Sequence, residues 1–177
     1  MFILDTISSC VFCKIAKYIT KARIISENEH AVAFLDAFPL RRGHTLVATK
    51  MHWAKLQEVN SDEIVSLFGL VSLVADALEK GMDANATLIA IHNGKQAGQE
   101  IPHLHVHILP RKRDDGGAPI HSIFKTRISI DDSEMDNILL KIKDKLGVSK
   151  KAQRNLGKGY TKCERSTDSN YLRRDLS

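Results

Sequence analysis

Apolar positions recur along this chain with two different periods, and each period predicts a different kind of element. In "NSDEIVSLFGLVSLVADALEKG", Ile64, Leu67, Phe68, Val71, Val74, Ala75 and Leu78 fall on one face of a helix. Ser61 is the expected N-cap, Asp62 and Glu63 suit the positive end of the helix dipole, and Gly81 marks the stop. A second amphipathic helix is predicted in "DDSEMDNILLKIKDKLG", capped at Asp132 or Ser133 and closed by Gly147. "CVFCKIAKYIT" suits a short helical turn.

A period of two marks strands. The segments "ARIISENEH", "AVAFLDAFP", "GHTLVATK" and "ATLIAIHN" each predict one, with Pro39 ending the second. In "GHTLVATK", Thr45, Val47 and Thr49 alternate against Leu46 and Ala48. "GKQAGQE" and "RKRDDGGAP" are the polar loops on either side of a fifth strand, and no internal repeat interrupts the order. The expected fold class is α+β: a mainly antiparallel five-stranded sheet packed by helices on one side, in two layers.

The fifth strand, "HLHVHILP", is the unusual one. His103, His105 and His107 alternate with Leu104, Val106 and Ile108, so a strand puts the imidazoles on one face and the aliphatics on the other. A helix would spread the same histidines over about 200°. Pro102 and Pro110 are expected to bracket the strand, because proline cannot donate a ladder hydrogen bond.

Composition changes this picture little: 43% apolar and 27% charged residues are ordinary for a globular chain of 177 residues. No apolar run approaches the ~18 residues of a membrane span, and "MFILDTISSC" has neither the basic start nor the apolar stretch of a signal peptide, so a cytoplasmic location is expected. Charge changes it more. The excess of +5 lies wholly in residues 148–177, which hold eight Lys or Arg and three Asp or Glu. Residues 1–147 are therefore expected to form one domain and 148–177 a basic, polar, flexible tail. Such a tail can meet nucleic acid or merely aid solubility; no aromatic interleaving accompanies its charge.

The cysteines are Cys10, Cys13 and Cys163, an odd number in a chain without a secretion signal, which argues against a disulfide framework. The two-residue gap of Cys10 and Cys13 has metal or redox spacing, with two small core residues as the plainer alternative.

"HLHVHILP" resembles the signature of the histidine triad superfamily. "CVFCKI", "ENEHAVAFLD", "GHTLVATKMH" and "HNGKQAGQEIPHLHVHILPR" resemble that superfamily in the same order, covering residue 10 to about 112. The resemblance implies a hydrolase or transferase cleaving at the α-phosphate of purine nucleotides, such as adenosine phosphoramidates, aminoacyl-adenylates or diadenosine polyphosphates. It implies a homodimer of sheets joined edge to edge. By the same match His105 is the nucleophile, a role that suits an imidazole mostly uncharged near pH 7. His107 and His44 border the phosphate and steady charge or move the leaving-group proton. Asn93 and Gln99 contact phosphate, Gly98 lets the backbone come close to the ligand, Asp36 contacts the ribose hydroxyls, and Phe34 and Leu35 wall the base. In zinc-bearing branches the partners of Cys10 and Cys13 match His52 and His103, which closes a tetrahedral, structural zinc site.

One residue departs from the pattern. After Gln99, where many relatives carry Ser or Thr, stands Glu100, and this leaves the leaving-group preference open. Two other functions remain in play. A nucleotide-binding sensor without turnover would not trap a nucleotidyl-histidine, and a hydrolase recruited to adenylylated nucleic acid would need the tail. His30, His92 and His121 stay unassigned, and Trp53 is expected to pack against the fold or a neighbouring subunit.

Overall fold

The period-of-two segments become β1 (Ile24–Glu27), β2 (Ala31–Leu35), β3 (Thr45–Thr49), β4 (Ala86–Ala90) and β5 (His105–Arg111). They join in one five-stranded sheet of order β1-β2-β3-β5-β4, with every neighbouring pair antiparallel. The computed structural model describes residues 9–123 and 128–146; the tail expected at 148–177 and the expected helix stop at Gly147 lie outside them. The chain divides into two units, one ending at Pro119 and one beginning at Ile120. The first holds the sheet with helices α1 (Val11–Ala16) and α2 (Ser61–Gly81), and the second holds helix α3 (Asp132–Lys145).

Strand parity decides what each face meets. Ala31, Ala33, Val47, Leu104, Val106 and Ile108 point to one face, where they pack on Leu67, Leu70, Val71, Val74, Ala75 and Leu78 of α2. Val32, Phe34, Leu46 and Ala48 point to the other and pack on Phe12 and Ile15 of α1. Helices thus cover both faces, not one as expected, because the "CVFC" segment folds back over β2 and β3. This also explains why β3 is buried at every position instead of alternating: it is a central strand with both faces covered.

Local details correct several expectations. The N-cap of α2 is Asn60, whose side chain accepts the Glu63 N–H at 2.9 Å, and not Ser61. Asp131, not Asp132 or Ser133, caps α3 by accepting the Glu134 N–H at 2.8 Å. On α2, Leu70 is buried and Phe68 is 40% exposed, so the apolar face is rotated slightly from the expected stripe. Trp53 packs on the core as anticipated, and its indole N–H donates to buried Glu63 at 2.7 Å.

The prolines do not bracket β5. Pro110 lies inside it, opposite Thr87 of β4. It is tolerated because the Leu104 carbonyl accepts from Thr49, so alternate residues, Pro110 among them, turn their backbone toward β3. The β3 pairing has already ended at Thr45–Ile108, and no donor is missed there. No helix among the described residues is long and apolar enough to cross a membrane.

Candidate active site and metal cluster

β5 begins at His105, so His103 sits in the bend before it, its N–H donating to the Ile101 carbonyl at 2.7 Å. The predicted shared face survives: the rings of His103 and His105 both meet Phe12, at 5.8 and 5.0 Å between centroids. Behind them Leu104, Val106 and Ile108 are fully buried.

Each imidazole is oriented by a backbone carbonyl or by the next ring. His105 donates its Nδ1–H to the His103 carbonyl at 2.7 Å. The proton is thereby held on Nδ1, and Nε2 is left as the basic, nucleophilic nitrogen of the neutral ring. The residue is 6% exposed, and burial lowers its pKa below the ordinary histidine value, keeping it neutral.

His44, just before β3, lies beside His107 of the adjacent strand (Leu46 is opposite His107), with His44 Nε2 3.0 Å from His107 Nδ1. The Leu40 N–H donates to His44 Nδ1 at 3.2 Å. In the neutral ring this places the His44 proton on Nε2, which donates to His107 Nδ1 and places the His107 proton on Nε2. That Nε2 is buried without a hydrogen-bond partner, so it is a donor awaiting a ligand. Burial first, then the neighbouring rings of His105, His44 and His92, lower the His107 pKa to about 4. Burial also lowers that of His44, against the pull of Asp36. Asp36 Oδ2 lies 3.2 Å from His44 Nδ1 and becomes its counter-charge when a second proton arrives.

His92 was missed in the sequence. Its ring lies 5.2 Å from that of His107, because Ala90 pairs with His107 and residue 92 continues on the same face. Only the strand register reveals this. Gly98, at φ +92°, turns the next loop against the His92 ring.

The predicted substrate-binding residues are placed as follows. Asp36 also accepts the Phe38 N–H at 2.9 Å. Asn93 accepts from Leu56 N–H at 2.9 Å and donates to Gln57 at 3.0 Å, while Gln99 donates to the Ala54 carbonyl at 2.8 Å. Both amides therefore brace their loop against residues 54–57. Phe34 is buried against Phe12, and Leu35 is partly exposed.

Cys10, Cys13, His52 and His103 converge at the other end of the triad, with one ligand atom from each within 4.8 Å of all the others. Cys10 Sγ is 3.4 Å from His103 Nδ1, and Cys13 Sγ is 3.3 Å from His52 Nδ1 and 3.5 Å from His103 Nδ1. Metal–sulfur and metal–nitrogen bonds of about 2.3 and 2.0 Å at tetrahedral angles require S···N edges of about 3.5 Å. The donors already stand at that spacing. His103 donates Nε2–H to the Thr49 carbonyl at 2.8 Å, leaving Nδ1 as a lone pair aimed at both sulfurs. Burial and the adjacent Cys10 push the Cys13 thiol up to about 11, so the pair needs a cation before both sulfurs can ionise. These four residues could hold a metal ion.

An antiparallel five-stranded sheet that carries linked imidazoles beside a Cys/His cluster defines a narrow class of protein. Residues 19–114 match the HIT domain, and the chain belongs to that family. It is 41% identical over 108 residues to an uncharacterized HIT-like protein of Methanocaldococcus jannaschii, covering 60% of this chain and 82% of that one. It is 33% identical to the adenylylsulfatase HINT3 of Arabidopsis thaliana, over 61% of this chain and 55% of that protein. To the adenosine 5'-monophosphoramidase HNT1 of Saccharomyces cerevisiae it is 32% identical, over 62% of this chain and 67% of that one. Among solved structures, a HIT family member from Bacillus subtilis superposes with TM-score 0.72 at 31% identity, over 80% of this chain and 99% of that one. A zinc-bound histidine triad family protein from Mycobacterium smegmatis superposes with TM-score 0.59 at 31% identity, over 80% and 97%.

Proposed function

We propose that this chain is a nucleotidyl hydrolase or transferase acting at the α-phosphate of purine nucleotides through a nucleotidyl-histidine. The observation that carries the reading is the bond from His105 Nδ1–H to the His103 carbonyl, which leaves Nε2 as nucleophile. The relatives named for adenylylsulfate and for adenosine phosphoramidate share an adenylyl group and differ in what leaves it.

In the first step the His105 Nε2–phosphorus bond forms and the bond to the leaving group breaks, its electron pair going to the leaving atom. Where that atom needs a proton, His107 Nε2–H supplies it. The His44 Nε2 proton moves to His107 Nδ1, and a proton taken from solvent onto His44 Nδ1, beside Asp36, keeps both rings neutral. Water then attacks the same phosphorus, the phosphorus–nitrogen bond breaks with its electron pair returning to His105 Nε2, and the proton that water loses passes to solvent. Asn93, Gly98 and Gln99 shape the phosphate loop, and Asp36, Phe34 and Leu35 lie toward the nucleoside. Cys10, Cys13, His52 and His103 hold a structural zinc, which would anchor the residue whose carbonyl orients the nucleophile. A homodimer is proposed through a sheet edge, where β4 is an outer strand.

Rapid-quench mixing with adenosine 5'-phosphoramidate tests the reading. An adenylyl group should be trapped on His105, and His105→Ala should abolish turnover while AMP still binds. Full turnover by that variant would reject the nucleophile.

A further inference from the structure

Residues 37–42, in the connection from β2 to β3, bury no side chain: Phe38 is 90% exposed and Leu40 77%. Packing of side chains therefore does little to hold them, although they carry a group the proton relay depends on, the Leu40 N–H that donates to His44 Nδ1. Backbone bonds close the base of the turn, from the Asp36 N–H to the His44 carbonyl at 3.0 Å and from the His44 N–H to the Arg41 carbonyl at 3.1 Å. Among the described residues, the only side-chain hydrogen bond from this stretch to another part of the fold is that of Arg41 Nη1, which donates to Asp115 Oδ2.

Asp115 is itself firmly anchored. Its side chain is 5% exposed, and the carboxylate accepts from Arg111 Nε at 2.8 Å and Nη2 at 3.0 Å. The N–H groups of Lys112 and Gly117 donate to it as well, at 2.9 and 2.8 Å. Arg111 ends β5, the strand that carries His105 and His107. The Arg41–Asp115 pair thus fastens the turn beside His44 to the strand of the other two site histidines.

His44 Nδ1 has two neighbours at the same distance, the Leu40 nitrogen and Asp36 Oδ2, each at 3.2 Å. The Leu40 N–H suits a bare Nδ1 and the carboxylate a protonated one, so they favour opposite tautomers. With Nδ1 bare, His44 donates from Nε2 to His107 Nδ1, and His107 keeps its own proton on Nε2, ready to give. With Nδ1 protonated toward Asp36, His44 Nε2 accepts from His107 Nδ1–H, and His107 Nε2 has no proton to give. The second arrangement is the one each cleavage leaves behind. We infer that Asp115 and Arg41 are positioning residues: their ion pair holds the Leu40 N–H on His44 and returns the relay to its donating tautomer. In that return the His44 Nδ1 proton leaves for solvent, the His107 Nδ1 proton passes to His44 Nε2, and His107 Nε2 takes one from solvent. The inference rests on the hydrolase reading and adds how that site is primed; both residues act through His44 and not on substrate.

The test reads the ring nitrogens directly, by NMR of the full chain carrying isotope-labelled histidine, in wild type, Arg41→Gln, Arg41→Lys and Asp115→Asn. Wild type should show His107 protonated at Nε2. Arg41→Gln and Asp115→Asn should move that proton to Nδ1, and Arg41→Lys should restore part of the wild-type signal. Arg41→Gln leaves Asp115 held by Arg111 and two backbone N–H groups, so the fold is kept. Single-turnover kinetics give a second arm. Ammonia leaving adenosine 5'-phosphoramidate needs a proton, whereas nitrophenolate leaving the p-nitrophenyl ester of AMP does not. Arg41→Gln should slow the phosphoramidate by at least about tenfold, out of the roughly 10²–10⁴-fold that a general acid contributes, and leave the ester little changed. Unchanged nitrogen signals, or an equal loss on the two substrates, overturns the clamp. The proton shift seen in a protein whose wild type cleaves neither substrate supports the clamp and removes the hydrolase reading.

Discussion

His107 should make this protein lose stability in acid by a calculable amount. Its pKa is lowered to about 4 by burial and by three neighbouring imidazoles, whereas the unfolded chain has an ordinary histidine near 6.5. Between those values the unfolded state binds the proton and the folded state does not, so stability falls as pH falls through that window and levels off below the folded value. Linkage over the two pKa values gives a loss of about 2 kcal/mol from about pH 7.5 to about pH 5. His107→Gln removes the titrating ring and keeps a polar side chain in its place. Urea unfolding of both proteins at the two pH values yields a double difference in which the other titrating groups cancel to first order. Wild type should lose about 2 kcal/mol more than the variant over that pH range. A double difference below about 0.5 kcal/mol, within the usual error of independent sites, would mean that His107 titrates like an exposed histidine. The tautomer chain from Leu40 through His44 would then be wrong.

Three further outcomes follow from the packing and the metal cluster. Cys13→Ser should abolish the stoichiometric zinc expected in the purified wild-type protein, read by elemental analysis; zinc absent from both proteins would reject the site. Leu104→Ala, at a residue 0% exposed between the sheet and α2, should cost about 3–5 kcal/mol in chemical denaturation. Gly43→Ala should cost about 1–3 kcal/mol, because Gly43 has φ +80° and an added Cβ would lie 2.9 Å from Met82 Cγ and 3.0 Å from Pro110 Cγ.

Much of the site was legible because its information is local. Alternation in "HLHVHILP" is a property of adjacent residues, and it sorts imidazoles from aliphatics whatever the rest of the chain does. The same holds for α2, where seven apolar positions define a face that was misjudged only at Phe68 and Leu70. Cap positions were off by a single residue, since Asn60 and Ser61, or Asp131 and Asp132, are equally good caps on paper. What was not legible depended on neighbours far along the chain. His92 joins the site only through the pairing of Ala90 with His107. Pro110 is admitted into β5 only because β3 stops one pair earlier on that side.

The sequence by itself determined the period of each element and the face on which the histidines lie. These rest on the fixed geometry of a strand or helix, which needs no tertiary contact to be read. The tertiary structure alone decided which nitrogen of each ring carries its proton and which carboxylate faces which imidazole. Those are set by hydrogen bonds between residues 2 to 93 positions apart. Only the folded sheet brings such groups within bonding distance.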